Sequence, residues 1–222
     1  FLATASLGGI WSSCSPDFGV NGVIERFLQI KPKALFIIDK YFYNGKEINV
    51  LERVSKILKK IKSIKYLIII NYPGTKYIED KFYYKNVISF KWYQLNKFNS
   101  KPAKFKVFDF EQELAILYSS GTTGKPKCIC HRSGGVLLQH MKEHQLHCDI
   151  KENDNVFYFT TCGWMMWNWL ISVLASKASI VLFDGSPMYK KEDLLLKIAN
   201  KEKITLFGVS AKYIEVLRKT EK

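Results

Sequence analysis

An apolar run, Leu114-Ala115-Ile116-Leu117-Tyr118, leads without a spacer into Ser119-Ser120-Gly121-Thr122-Thr123-Gly124-Lys125-Pro126-Lys127. A short apolar run of this kind reads as a buried strand, so the hydroxyl- and glycine-rich run must turn at the end of a sheet. Glycine lets a backbone approach a ligand closely, and successive N–H groups and hydroxyls can ring an anion whose charge lysines balance. A polyphosphate needs that chemistry. The common phosphate loop, G-x-x-x-x-G-K-S/T, would require glycine at 119 and Ser or Thr at 126, where this chain has Ser119 and Pro126. Gly, Ser, Thr, Pro and Lys are also ordinary turn formers, so a plain surface turn is the alternative.

The rest of the chain alternates short apolar runs with helical spacing. Residues 34–39 (A-L-F-I-I-D) and 66–70 (Y-L-I-I-I) read as strands, the second stopped by Asn71 and the Pro73-Gly74 turn. Between them Leu51, Val54, Leu58 and Ile61 recur at helical spacing among lysines. Residues 76–106 are less regular, with a strand expected at 87–90. Further on, strands are expected at 128–131, 156–161, 179–184 and 204–209. Helices are expected from a Ser133 cap to about His147, then at 164–175, 192–200 and 211–219. This pattern predicts an α/β layered fold with mainly parallel sheets and flanking helices. At 222 residues and 47% apolar, the chain can bury a core in one or two domains. It opens on Phe1 and closes in Lys-rich sequence, and reads as a fragment of a longer protein.

The net charge of +14 raises nucleic acid or an anionic membrane as partners. Only four of the 34 basic residues are arginine (Arg26, Arg53, Arg132, Arg218), and the lysines are spread through every segment. Arginine is the preferred residue for bidentate phosphate and base contacts, so no nucleic-acid partner is expected. No run of about 18 apolar residues occurs, which argues against a membrane span. The apolar opening, residues 1–10, has no basic region ahead of it, so a signal peptide is not supported. Five irregularly spaced cysteines do not form a disulfide framework and point to a reducing, cytoplasmic setting.

The run 118–127 resembles the phosphate-binding signature of the adenylate-forming superfamily, which holds acyl-CoA synthetases, firefly-type luciferases and peptide-synthetase adenylation domains. Ser12-Ser13-Cys14-Ser15-Pro16-Asp17-Phe18-Gly19, Thr160-Thr161-Cys162-Gly163-Trp164-Met165-Met166-Trp167-Asn168 and Phe207-Gly208-Val209-Ser210-Ala211-Lys212-Tyr213 resemble the acetoacetyl-CoA synthetase branch. The resemblance covers essentially all 222 residues. It implies a piece of the large N-terminal AMP-binding (adenylation) domain, without the C-terminal domain. Two positions depart from the pattern: Cys128, where Gly or Ala is usual, and Arg132, where a small or polar residue is usual.

What the resemblance implies is two-step activation. A carboxylate attacks the α-phosphorus of ATP to give an acyl-adenylate and pyrophosphate, and the CoA thiol then displaces AMP. ATP, Mg²⁺ and coenzyme A are the implied cofactors, and acetoacetate the implied acid. Acetate, propionate or another short acid is the alternative within the class; a non-catalytic nucleotide-binding module is the alternative outside it. By resemblance Ser119, Ser120, Gly121, Thr122, Thr123, Gly124 and Lys127 hold the ATP phosphates, with Thr122 and Lys127 carrying the most catalytic weight. Gly163, Trp164 and Met166 fall near the acyl pocket and CoA tunnel, and Ser12 and Ser13 at a turn on the CoA nucleotide. Trp164 reads equally well as core, and Trp167 better so. The ribose aspartate, the Mg²⁺ carboxylate and the adenylation lysine lie further along the chain in the superfamily. The oligomeric state stays open. No metal site is assigned: His140, His144, His147 and Cys148 share a helix face but lack the H-E-x-x-H order, and read as an exposed polar face.

Overall fold

A computed structural model describes residues 1–77, 84–98, 102, 104–119 and 124–220. In chain order the elements are α1 (Leu2–Ser6), β1 (Trp11–Ser12), α2 (Val20–Ile30), β2 (Ala34–Ile38), β3 (Lys40–Tyr43), β4 (Lys46–Asn49), α3 (Leu51–Lys60), β5 (Tyr66–Ile70) and β6 (Ile88–Lys91). A 3-10 turn, Trp92–Lys97, follows. Then come β7 (Glu113–Ser119), β8 (Lys127–Arg132), α4 (Ser133–Lys142), β9 (Asn155–Tyr158), α5 (Met165–Ser172), β10 (Ser179–Val181), α6 (Leu194–Lys201), β11 (Leu206–Gly208) and α7 (Ala211–Thr220). They form two compact units: Phe1–Ser13 with Phe105–Leu117 and Ile129–Lys222, and Cys14–Lys104 with Tyr118–Cys128.

The second unit is built on a parallel sheet in the order β2-β5-β6. Leu67, Ile68 and Ile69 of β5 are all buried, as a central parallel strand covered on both faces should be. On α3 the buried residues are Leu51, Val54, Ile57 and Leu58, a stripe at 3.6 spacing with the lysines outside it. Each such side chain contributes about 1.5–3 kcal/mol on burial. Phe27 of α2 and Leu35 of β2 join the same core. Fully buried Asp39 closes the end of β2, its carboxylate accepting the N–H groups of Lys40 at 2.8 Å and Tyr72 at 2.9 Å. The β3–β4 hairpin is antiparallel and turns at Asn44 and Gly45, with φ of 49° and 79°.

In the first unit β7 lies between β1 and β8, and a second parallel sheet runs β10-β9-β11. Successive residues of a strand face opposite ways, and β9 uses both faces. Val156 packs with Trp169, Leu170 and Val173, whereas Phe157 packs with Leu195 and Tyr213. Helices therefore cover the sheet on both sides.

Three expectations are corrected. Arg132, in extended conformation, is the N-cap of α4, and Ser133 is its first helical residue with no side-chain cap. Past Lys142 the helix widens into a π-helical turn, Glu143–His147. The expected exposed polar face holds only at its far end: His147 and Cys148 are exposed, but His140 and His144 are buried while Leu137, Leu138 and Leu146 are exposed. The partners on α5 explain this. Trp169 and His144 meet in a T-shaped contact, with ring centroids 4.5 Å apart, and the Ser172 hydroxyl lies 2.8 Å from His140 Nδ1.

Candidate active site

In the second unit the chain enters the candidate phosphate loop at Tyr118 and Ser119 and leaves it through Gly124, Lys125 and Pro126 into Lys127. Ser120, Gly121, Thr122 and Thr123 lie outside the described residues. Gly124 has φ +90°, a conformation that strains any side chain, and a Cβ added there would meet nothing within 4 Å. Its backbone is thus open to close approach by a ligand. Lys125 and Lys127 are exposed on either side of Pro126, which is buried. An open left-handed glycine followed in sequence by two exposed lysines is chemistry that suits a polyphosphate. The Pro126 carbonyl accepts a hydrogen bond from Gln29 Nε2 at 3.0 Å, and the Arg26 guanidinium lies 5.7 Å from the centre of the Tyr118 ring. Neither α2 residue stood out in the sequence; their spacing of three on one helix was the available signal.

The first unit brings together two segments read separately. Ser12 pairs with Ile116 in the sheet, and its hydroxyl donates to the Ile116 carbonyl at 2.9 Å. The Ser13 hydroxyl donates to the carbonyl of Cys162, 149 residues away, and accepts the Trp11 indole N–H at 3.2 Å. The serine turn is therefore tied to the residue before Gly163. Trp164 caps α5 in extended conformation and is 63% exposed, while Met166 packs on the cluster around Trp169. Trp164 is thus turned to the surface rather than to the core; Trp167 is half-buried.

Beside α4 in the same unit lies a cavity of about 550 Å³ lined by residues including Phe110, His131, His140, Glu143 and Met165. Burial, reinforced by the neighbouring His144, holds the His140 imidazole down to about 4, against the opposing pull of Glu143. Burial also lowers His131 and His144. For Glu143, burial alone would raise the carboxyl, but hydrogen bonds from Gln139 and Trp169 outweigh it and hold it below the usual range. The cavity wall thus carries the neutral imidazoles of His131 and His140 and the ionised carboxylate of Glu143 near pH 7, with Glu111 and Arg132 also lining it. Arg132, the departure noted at the end of β8, donates to the Glu111 carbonyl at 2.7 Å and pairs with its carboxylate at 3.4 Å. Its charge is locally matched.

The AMP-binding enzyme family matches residues 1–222. The chain belongs to that family. Within it, the acetoacetyl-CoA synthetase of Gallus gallus is 44% identical over 218 residues, covering 97% of this chain and 33% of the relative. The acetoacetyl-coenzyme A synthetase of Rhizobium meliloti is 46% identical over 223 residues, covering 98% and 33%. The solved structure of an acetoacetyl-CoA synthetase from Streptomyces lividans aligns with a TM-score of 0.89 at 40% identity, over 99% of this chain and 33% of that one. The α/β architecture is that of this AMP-binding enzyme. The chain spans about a third of the length of the curated relatives it matches. Among the described residues, no helix is long and apolar enough to cross a membrane.

Proposed function

We propose that this chain is the ATP-phosphate-holding part of an acid–thiol ligase that joins acetoacetate to CoA. The observation that carries the reading is the strand–loop–strand from Tyr118 to Lys127, with an open left-handed Gly124 and the exposed ammonium of Lys127 at its exit. The names borne by the relatives give the acid. Acetoacetate oxygen attacks the α-phosphorus and pyrophosphate leaves; the CoA sulfur then attacks the acyl carbon and AMP leaves. Negative charge grows on the phosphates in the first step, and fixed donors placed there in advance lower its barrier. Lys127, Thr122 and Thr123 are the donors proposed, with Ser119, Ser120, Gly121 and Gly124 lining the loop. Bound Mg²⁺ would add charge neutralisation at the same phosphates. Gly163, Trp164 and Met166 are proposed for the acyl and pantetheine side, and Ser12 and Ser13 for the CoA turn. The chain is proposed as part of the N-terminal adenylation domain, in a cytoplasmic protein whose partners are small molecules.

Acetoacetate-dependent exchange of label between pyrophosphate and ATP tests the reading on the whole enzyme. A preference for acetoacetate over acetate in kcat/KM is expected, because a site that hydrogen-bonds the 3-keto oxygen discriminates more strongly than one that counts methylenes. Equal or better turnover of acetate or propionate removes the substrate and leaves the ligase class. MgATP binding with no acid activated at all favours a non-catalytic nucleotide-binding module.

A further inference from the structure

Both ends of the phosphate loop are held by one helix. Arg26 and Gln29 of α2 are three residues apart, so they project from the same face. The Arg26 guanidinium is steadied by the Gly22 carbonyl at 2.8 Å and sits 4.5 Å from the Phe18 ring centre and 5.7 Å from that of Tyr118. Tyr118 is the residue before the loop, packed on the core of the second unit. At the other end Gln29 divides its amide between the Glu25 carbonyl at 2.7 Å and the Pro126 carbonyl at 3.0 Å. Both amide hydrogens are thereby used. Proline has a fixed φ, so a held Pro126 carbonyl sets the direction in which the chain continues to Lys127.

Between these anchors lie Ser119 to Lys125, rich in glycine and small hydroxyl residues that by themselves restrict the backbone little. Tyr118 and Pro126, the described residues on either side, are thus set by one helix before any ligand arrives. We infer that Arg26 and Gln29 are positioning residues for ATP, acting through Tyr118 and Pro126, the described ends of the loop, and so on the Lys127 ammonium. The inference rests on the loop's proposed role as the phosphate holder. It requires ATP at the loop but no particular acid.

The test uses the whole enzyme and compares KM for ATP with KM for the acid. Gln29→Leu removes the donor, and a rise of about three- to tenfold in KM for ATP is expected, the scale of one hydrogen bond. KM for the acid and the melting temperature stay unchanged. Gln29→Lys, which keeps a donor of similar reach, recovers most of the loss. Arg26→Met, which removes the guanidinium from the Tyr118 ring but keeps an apolar stem, gives the same split. In a Lys127→Ala background the effect of Gln29→Leu shrinks, because coupled positions are non-additive. An unchanged KM for ATP, or equal rises in both KM values, overturns the inference. A wild-type enzyme that activates some other acid refutes acetoacetate alone and leaves the ATP readout intact. A protein that binds no ATP overturns both.

Discussion

Lys127 stands at the first position of β8, exposed, one residue past a buried proline. Its ammonium is thus presented by a strand end rather than by a free loop tip. Lys127→Ala should lower acetoacetate-dependent pyrophosphate exchange by about 10²–10³, the loss typical of one donor aimed at transition-state charge; exchange near wild type would remove it from the site. His140 gives a second prediction. The folded side chain takes up its proton only near pH 4, whereas in the unfolded chain it does so near 6.5. Between those values the unfolded state binds more protons, so stability is full above about pH 6.5 and declines as pH falls toward 4. Glu143, His144 and His131 face the same ring and shape the slope. Melting temperature measured from pH 7 to pH 4.5 should fall, and His140→Gln should flatten the fall. An identical pH dependence in that variant would place the titration elsewhere.

Among the elements, those with a clear period were legible. The stripe Leu51, Val54, Leu58 became α3, and Y-L-I-I-I became β5 with the predicted ends. The β3–β4 hairpin was missed although its Asn44-Gly45 pair is the strongest short hairpin signal, because K-E-I-N does not look like a strand by propensity. Helix α2 was missed because it contains Gly22 and starts at Gly19, without a hydroxyl or carboxylate cap. The buried imidazoles were illegible for another reason. What decides their burial is Trp169 and Ser172, about 30 residues away, and no local pattern carries that. The candidate loop stood out as a motif, although Ser120 to Thr123 lie outside the described residues; the α2 residues at its described ends did not stand out, since that proximity is a property of the fold. The hairpin gives its own prediction. Gly45 sits at φ 79°, so Gly45→Ala should cost about 1–2 kcal/mol in a urea titration, the penalty for an L-residue in left-handed geometry. A change smaller than a few tenths would mean the turn readjusts freely.

For the molecule as a whole, the 222 residues made alone are expected to form no acetoacetyl-CoA in a thioester assay. The curated relatives are about three times as long, and the superfamily resemblance puts the ribose aspartate and adenylation lysine beyond the matched third. Product formed by the purified chain would refute that placement. The order in which the chain threads its two units has a separate consequence for how it is made. Trp11 and Ser12 pair with Ala115 and Ile116, 104 residues later for the Ser12 hydroxyl contact, and Cys14–Lys104 of the other unit comes between. At about 5–20 residues per second on a ribosome, roughly 5–20 s pass between synthesis of β1 and of its sheet partner. Through that interval β2, α3 and β5 are already available to one another, while Phe1 and Trp11, ring partners 6.0 Å apart in the folded unit, wait for the strand that will shelter them. Phe1 to Ser12 thus stay an unpaired adhesive segment throughout that interval, one that a chaperone would shield.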